Sequence, residues 1–129
     1  MAEEKLIWDT LMHVIGNPYG VAGLMGNLFA ESSLNPKCMT GKNKKKYSSS
    51  DDYISKVDNK IISCDEFIHD GIAFGIVQWC YWGRKENLYL WAEKHGQSIG
   101  DLNMQLAFML DELPKYKTVW NIITTTKSI

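Results

Sequence analysis

The sequence predicts a mainly helical fold with a small β element, on three observations. Apolar residues recur at helical spacing near the N-terminus and again through the last third of the chain. Those stretches stop at Gly or Pro: Gly16-Asn17-Pro18, Asn35-Pro36, Gly96 and Pro114. Only Tyr53 to Cys80 has a mixed pattern, with room for short strands. The 129 residues make one domain's length, enough to bury a sizeable core, so a single catalytic-sized domain over 1–129 is expected. Whether that domain stands alone or is a piece of a larger protein is left open.

Each element follows from its residues. Ala2 to Ile15 carries Ile7, Trp8, Leu11, Val14 and Ile15 at helical spacing. A second helix carries Val21, Leu24, Met25, Leu28 and Phe29, the i, i+3, i+4, i+7, i+8 stripe, and stops near Ser32 because Asn35-Pro36 disfavours further helix. Residues 37–52, with Lys37, Lys42, Lys44, Lys45 and Lys46 followed by Ser48-Ser49-Ser50-Asp51-Asp52, read as an exposed loop. Plain solvation accounts for its lysines, although a basic lobe beside a cleft would also attract an anionic polymer. Ile61-Ile62 and Ile72 to Trp79 are short strands or buried turns, and a small hairpin is expected among them. Arg84 to His95 forms a helix with Leu88, Trp91, Ala92 and His95 on one face and Gly96 as its cap. Ser98 with Asp101 resembles a capping box opening a helix through Leu102, Leu106, Met109, Leu110 and Leu113. A last short helix carries Val119, Trp120 and Ile123.

Composition narrows the function classes. The chain is 45% hydrophobic and 22% charged, which is ordinary for a soluble globular protein. A net charge of −1 gives no reason to expect a nucleic-acid or membrane partner. No apolar run is long enough to span a bilayer, and the acidic, amphipathic N-terminus is not a signal peptide. Cys38, Cys64 and Cys80 are an odd, sparse set, read as free thiols, with one bridged pair after export left open. With cysteine spacings of 26 and 16 and scattered His13, His69 and His95, no metal and no cofactor is expected.

Glu31 is the candidate catalytic acid. It lies seven residues after Leu24 and three after Leu28, almost two helical turns on, so it is expected to continue the apolar stripe. Burial and the negative end of the helix dipole would both disfavour its ionised form. A carboxylic acid that keeps its proton near neutral pH suits glycosidic cleavage, where the leaving oxygen must be protonated. Spacing alone leaves open a glutamate turned out to water at the helix end.

The segment GVAGLMGNLFAESSLNP, Gly20 to Pro36, resembles the helix and loop that carry the acid in phage tail lysozymes. A second block, Val57 to Leu113, resembles the remainder of that family's domain, including Gly75-Ile76-Val77-Gln78-Trp79. Glu-Ser, then Asn-Pro, then Gly-x-x-Gln is similar to the wider lysozyme-like superfamily, lytic transglycosylases included. The resemblance implies a lysozyme-like α+β fold with a small β-hairpin beside an active-site cleft. It implies Glu31 as the catalytic glutamate and, as substrate, the peptidoglycan bond between N-acetylmuramic acid and N-acetylglucosamine. It also implies a phage tail, endolysin or conjugation setting, with delivery to the wall by a phage particle, a holin or a larger parent protein. Two departures stand out: Ala73-Phe74-Gly75 replaces the family's frequent Gly-Tyr-Gly, and the lysines at 42–46 look particular to this chain.

For a second catalytic group the candidates are Asp58, Asp65, Glu66 and Asp70. Asp70 is chosen because it looks like a recurrent aspartate of the family, with a turn aspartate bonding its own backbone as the alternative. Separation from Glu31 would set the outcome, about 5–5.5 Å for retention and about 6.5–9.5 Å for inversion. Candidate substrate-binding residues are Gln78, Ser32, Trp79, Tyr81 and Phe74, with Trp82 as a further flat face and Arg84 as a contact for a wall carboxylate. Each has a structural alternative: a buried amide, a helix cap, core aromatics, a solvated helix start. Three functions compete: a peptidoglycan hydrolase, a lytic transglycosylase in which one acid makes both proton transfers, and a non-catalytic wall-binding module of a tail or secretion complex.

Overall fold

The computed structural model describes residues 2–128. The helices are α1 (Ala2–Ile15), α2 (Pro18–Ser32), α3 (Ser50–Asp58), α4 (Cys64–Ile68), α5 (Trp82–Lys94), α6 (Leu102–Glu112) and α7 (Lys117–Thr125). Two short strands, β1 (Met39–Thr40) and β2 (Ala73–Phe74), pair antiparallel, Met39 opposite Phe74 and Thr40 opposite Ala73. One 3₁₀ turn, Lys42–Lys46, follows β1, and another, Leu113–Lys115, follows α6. The architecture is the mainly helical lysozyme-like α+β arrangement with a small sheet.

α1 matches its predicted span. Ile7, Leu11 and Ile15, one turn apart, are its buried row, while Val14, expected on that face, is half exposed. Gly16 at φ +70° ends it, donating its N–H to the Met12 carbonyl. Asn17 caps α2 by accepting from Tyr19 N, and its amide nitrogen donates to the carbonyls of Ile123 and Thr126. α7 thereby lies directly on the start of α2. A Cβ on Gly20 would sit 1.7 Å from the Ile123 carbonyl oxygen, so no larger residue fits there. This approach sets the rotation of α2 about its axis. Its buried row is Gly20, Val21, Leu24, Leu28 and Ser32, and Phe29, expected inside, is 62% exposed.

The middle of the chain departs most from expectation. Residues 37–52, predicted as loop, contain β1, a 3₁₀ turn and the start of α3. α3 and α4 lie in and beside the Tyr53 to Cys80 stretch of mixed pattern, where no helix was expected, each with a serine N-cap: Ser49 accepts from Asp52 N, and Ser63 from Glu66 N. β1 pairs with a segment far along the chain, not with a local hairpin partner. The tight turn follows β2, where Gly75 (φ +89°) and Gln78 (φ +62°) reverse the chain. Phe74 and Trp79 then exchange two backbone hydrogen bonds of 2.9 Å. α6 is capped by Asp101, which accepts from Met104 N, and not by Ser98, whose hydroxyl donates to Asp58 across the fold.

The core joins all seven helices and the sheet. Ile7, Leu11, Tyr53, Phe67, Phe74, Ile76, Trp79 and Leu88 are fully enclosed, at about 1.5–3 kcal/mol for each large apolar side chain. Lys85, also fully enclosed, is the one charged side chain there among the described residues.

Candidate active site

Glu31 stands in the last turn of α2, beside a cleft of about 440 Å³. The cleft's walls include Asn27 and Leu28 of α2, Val77 and Gln78 of the turn after β2, Arg84 of α5, Glu112 of α6, and Tyr116. Glu31 is exposed, which corrects its expected burial. The stripe Leu24–Leu28 is continued by Ser32, four residues on, because α7 fixes the roll of α2. Glu31 is therefore not desolvated, although it does stand at the C-terminal end of its helix. The Glu31 carboxylate makes no hydrogen bond or ion pair with a described residue, so it is free to meet a ligand.

The backbone around it is held firmly. Ser33 (φ 55°) and Leu34 (φ 61°) are successive left-handed residues, uncommon without glycine, and they turn the chain sharply out of α2. Ser33 N–H closes the helix on the Phe29 carbonyl at 2.8 Å. Ser32 is buried, and its hydroxyl lies 2.7 Å from the Ile76 carbonyl and 3.0 Å from the Leu28 carbonyl. It ties the acid's helix to the turn after β2.

Gln105 of α6, which sequence reasoning missed, is the hub behind this arrangement. It is fully buried, its Oε1 accepts from Ile76 N at 2.8 Å, and its Nε2 donates to the carbonyls of Pro36 and Ile99, both at 2.7 Å. One amide thus fixes the loop after Glu31, the turn carrying Gln78 and the entry to α6. Nothing local distinguishes it, since a glutamine at a single helical position is normally solvated.

Gln78 lines the cleft, but its amide is committed. Nε2 donates to the carbonyls of Cys38 and Gly75, both at 2.9 Å, and Oε1 accepts from the Thr40 hydroxyl at 2.8 Å. It joins β1 to the turn. Glu112, the other carboxylate lining the cleft, is 9% exposed and occupied. Arg84 grips it with Nε and Nη2 at 2.9 and 2.7 Å, and Trp79 Nε1 donates to it at 3.1 Å. The hydrogen bonds to Glu112 are the main cause that raises the Arg84 pKa above its already high ordinary value. Arg84, expected to be solvated or facing a wall carboxylate, has an internal partner.

Asp70 belongs to a different cluster and does not line the cleft. One of its oxygens accepts from Lys85 Nζ at 2.6 Å and from Ile72 N at 2.8 Å, and the other from the Tyr53 hydroxyl at 2.5 Å. Lys85 also reaches the Ile72 carbonyl at 2.9 Å and lies 4.2 Å from the centre of the Phe67 ring. Burial lowers the Lys85 pKa, against the opposing pull of Asp70. Burial, then the bond to Asp70, pushes the Tyr53 hydroxyl well above its ordinary value.

Trp79 and Phe74 have no exposed surface, so neither offers a ring face to a sugar as the sequence suggested. A hydroxyl missing at position 74 is therefore missing from the core. Tyr81 is 63% and Trp82 48% exposed, with rings 5.6 Å apart, and His69 stacks on Trp82 at 6.2 Å. Cys38, Cys64 and Cys80 are free thiols. No group of three or more metal-ligating side chains occurs among the described residues.

The arrangement presents one unencumbered carboxylic acid on a rigid mount beside a concave surface, which is what a proton donor to a bound polymer requires. Comparison with curated proteins and with solved structures gives no match. The model of the phage tail lysozyme family matches residues 2–129. That match spans essentially the whole chain and carries a lysozyme-like action on the cell wall with it: the chain belongs to the phage tail lysozyme family.

Proposed function

We propose that this chain is a glycoside hydrolase cutting the β-1,4 bond between N-acetylmuramic acid and N-acetylglucosamine, with Glu31 as proton donor. The observation that carries this is the Glu31 carboxylate at the cleft, which has no partner among the described residues. In the first step Glu31 protonates the bridging oxygen as the glycosidic bond breaks and positive charge develops at the anomeric carbon. Water then adds at that carbon, its hydroxyl making the reducing end, and the proton it loses restores the acid form of Glu31. Ser32 positions Glu31 through the Ile76 carbonyl, Gln78 shapes the facing wall, and Tyr81 offers an exposed ring to a sugar. In this scheme Asp70 is the candidate second carboxylate, and it must act from within its bonds to Lys85, Tyr53 and Ile72.

A second reading has its own support. Glu31 and Glu112 are the carboxylates among the residues lining the cleft, and Glu112 is neutralised by Arg84. A cleft with one free acid suits a lytic transglycosylase. There Glu31 gives its proton to the leaving oxygen and afterwards takes one from the muramic acid 6-hydroxyl, which closes a 1,6-anhydro ring. Mass spectrometry of the products from purified peptidoglycan decides: reducing muropeptides support hydrolysis, and anhydro-muropeptides replace it. Absence of either product, with Glu31→Gln indistinguishable from the parent, would leave a wall-binding module of the tail.

A further inference from the structure

The 3₁₀ turn after β1 carries Lys42, Lys44, Lys45 and Lys46, all exposed, and none makes an ion pair with a described residue. The neighbouring acids are already engaged: Lys37 holds Asp51 at 2.9 Å, and Lys56 holds Asp52 at 3.3 Å. Four uncompensated positive charges in five residues stand out in a chain of net charge −1. The turn is a fixed feature of the fold. Asn43 donates to the Asp70 carbonyl at 2.8 Å, and Tyr47 packs edge-on against buried Tyr53 at 4.8 Å. Under it opens a cavity of about 300 Å³ lined by Lys44, Lys45, Tyr47 and Ser48 to Ser50. The Ser49 hydroxyl accepts from Asp52 N, which leaves its proton to donate.

We infer that this turn and cavity bind a phosphodiester-linked polyol polymer of the cell wall, which holds the enzyme beside the strands it cuts. The inference rests on the wall-directed function proposed above. At about 2 Å rise per residue the four lysines span roughly 8 Å, within a Debye length of about 8–10 Å. They therefore act together, and a chain of closely spaced anions gains more from them than a single ion does. Compact ammonium groups beside hydroxyl donors suit phosphate oxygens, which need point charge and several donors without a planar fork. The turn continues directly from Thr40, which bonds Gln78 of the cleft, so a polymer held there lies close to the site of cleavage.

The test is binding of the full chain to purified poly(glycerol phosphate), measured by calorimetry at several salt concentrations. With a salt slope of about −0.7 per neutralised phosphate, as for flexible polyphosphates, four contacts weaken binding roughly fifty-fold between 50 and 200 mM salt. The variant with Lys44→Ser and Lys45→Ser should weaken only about sevenfold over the same range and bind more weakly at low salt. It should also cleave phosphate-free peptidoglycan at the parent rate. No binding by the parent, an unchanged slope in the variant, or equal affinity for polyglutamate or duplex DNA would each overturn the inference. Failure of the parent to cleave phosphate-free peptidoglycan counts against the proposed enzyme activity alone, because the calorimetry does not depend on cleavage.

Discussion

Asp70→Asn separates a structural carboxylate from a catalytic one. In the parent, Lys85 is fully enclosed and meets Asp70 at 2.6 Å. The variant leaves that ammonium with neutral partners alone: the substituted amide oxygen, the Ile72 carbonyl, the Tyr53 hydroxyl at 3.4 Å and the Phe67 ring face. Removing one partner of a buried ion pair costs about 3–5 kcal/mol. Asp70 keeps 12% exposure and Lys85 keeps a carbonyl partner, so the lower end applies. A loss of about 3 kcal/mol in a chain this size lowers Tm by roughly 10 °C. Urea unfolding and thermal melts measure the loss, with activity assayed at a temperature where the variant stays folded. Adding Lys85→Met should recover much of the stability, since an apolar side chain needs no counter-charge. A variant that melts with the parent but has lost all turnover would refute this stability reasoning and leave Asp70 the second carboxylate of the hydrolytic scheme.

Three further outcomes follow from the geometry. Gly20→Ala places a methyl against the Ile123 backbone, which cannot step aside, so α7 must lift; a loss of about 3 kcal/mol or more is expected, seen as a lower Tm and faster proteolysis near α7. Ser32→Ala leaves the buried Ile76 carbonyl without its hydroxyl donor and should cost about 1–2 kcal/mol; kcat should fall more than KM rises, because Glu31 loses its mount and the cleft stays open. Tyr53 supplies a pH dependence. Its folded pKa is raised, so its contribution is fully present below the unfolded value of about 10 and is lost as pH rises, at about 1.4 kcal/mol per pH unit. Lys85, whose folded pKa is lowered, acts oppositely, adding stability as pH rises toward its unfolded value of about 10.4 and then levelling off. Above roughly pH 11 the Lys85 contribution has levelled off; Tyr47 and Lys60, whose folded pKa values are also raised, share the remaining slope, and the part that Tyr53→Phe abolishes is the share of Tyr53.

Sequence made the long helices legible because their stripes and stop residues agree. α1, α2, α5, α6 and α7 all lie where periodicity and Gly or Pro punctuation put them. α3 and α4 are too short for a stripe to emerge, although Ser63 followed by Glu66 is a capping box, a local signal that was there to be used. The pairing of Met39 with Phe74 has no local signal. The phase of Glu31 failed for a specific reason: one residue is about 100° of helix rotation, and the choice between Glu31 and Ser32 as the inward position was made by α7, more than ninety residues away, through Gly20. Lys85 and Gln105 were invisible for the same cause. Both residue types are normally solvated, and their burial comes from Asp70 and from the Pro36 and Ile76 backbone, all distant in sequence. Trp79, a plausible sugar platform, and Phe74, a candidate sugar contact, both proved to be core.

The most direct measurement is turnover of purified peptidoglycan by the parent and by Glu31→Gln, with products identified by mass spectrometry. Glu31 is exposed and has no partner among the described residues, so the variant should melt with the parent. The account predicts cleavage between N-acetylmuramic acid and N-acetylglucosamine by the parent and a loss of about 10²–10⁴-fold or more in the variant. Cleavage by Glu31→Gln at the parent rate would contradict it.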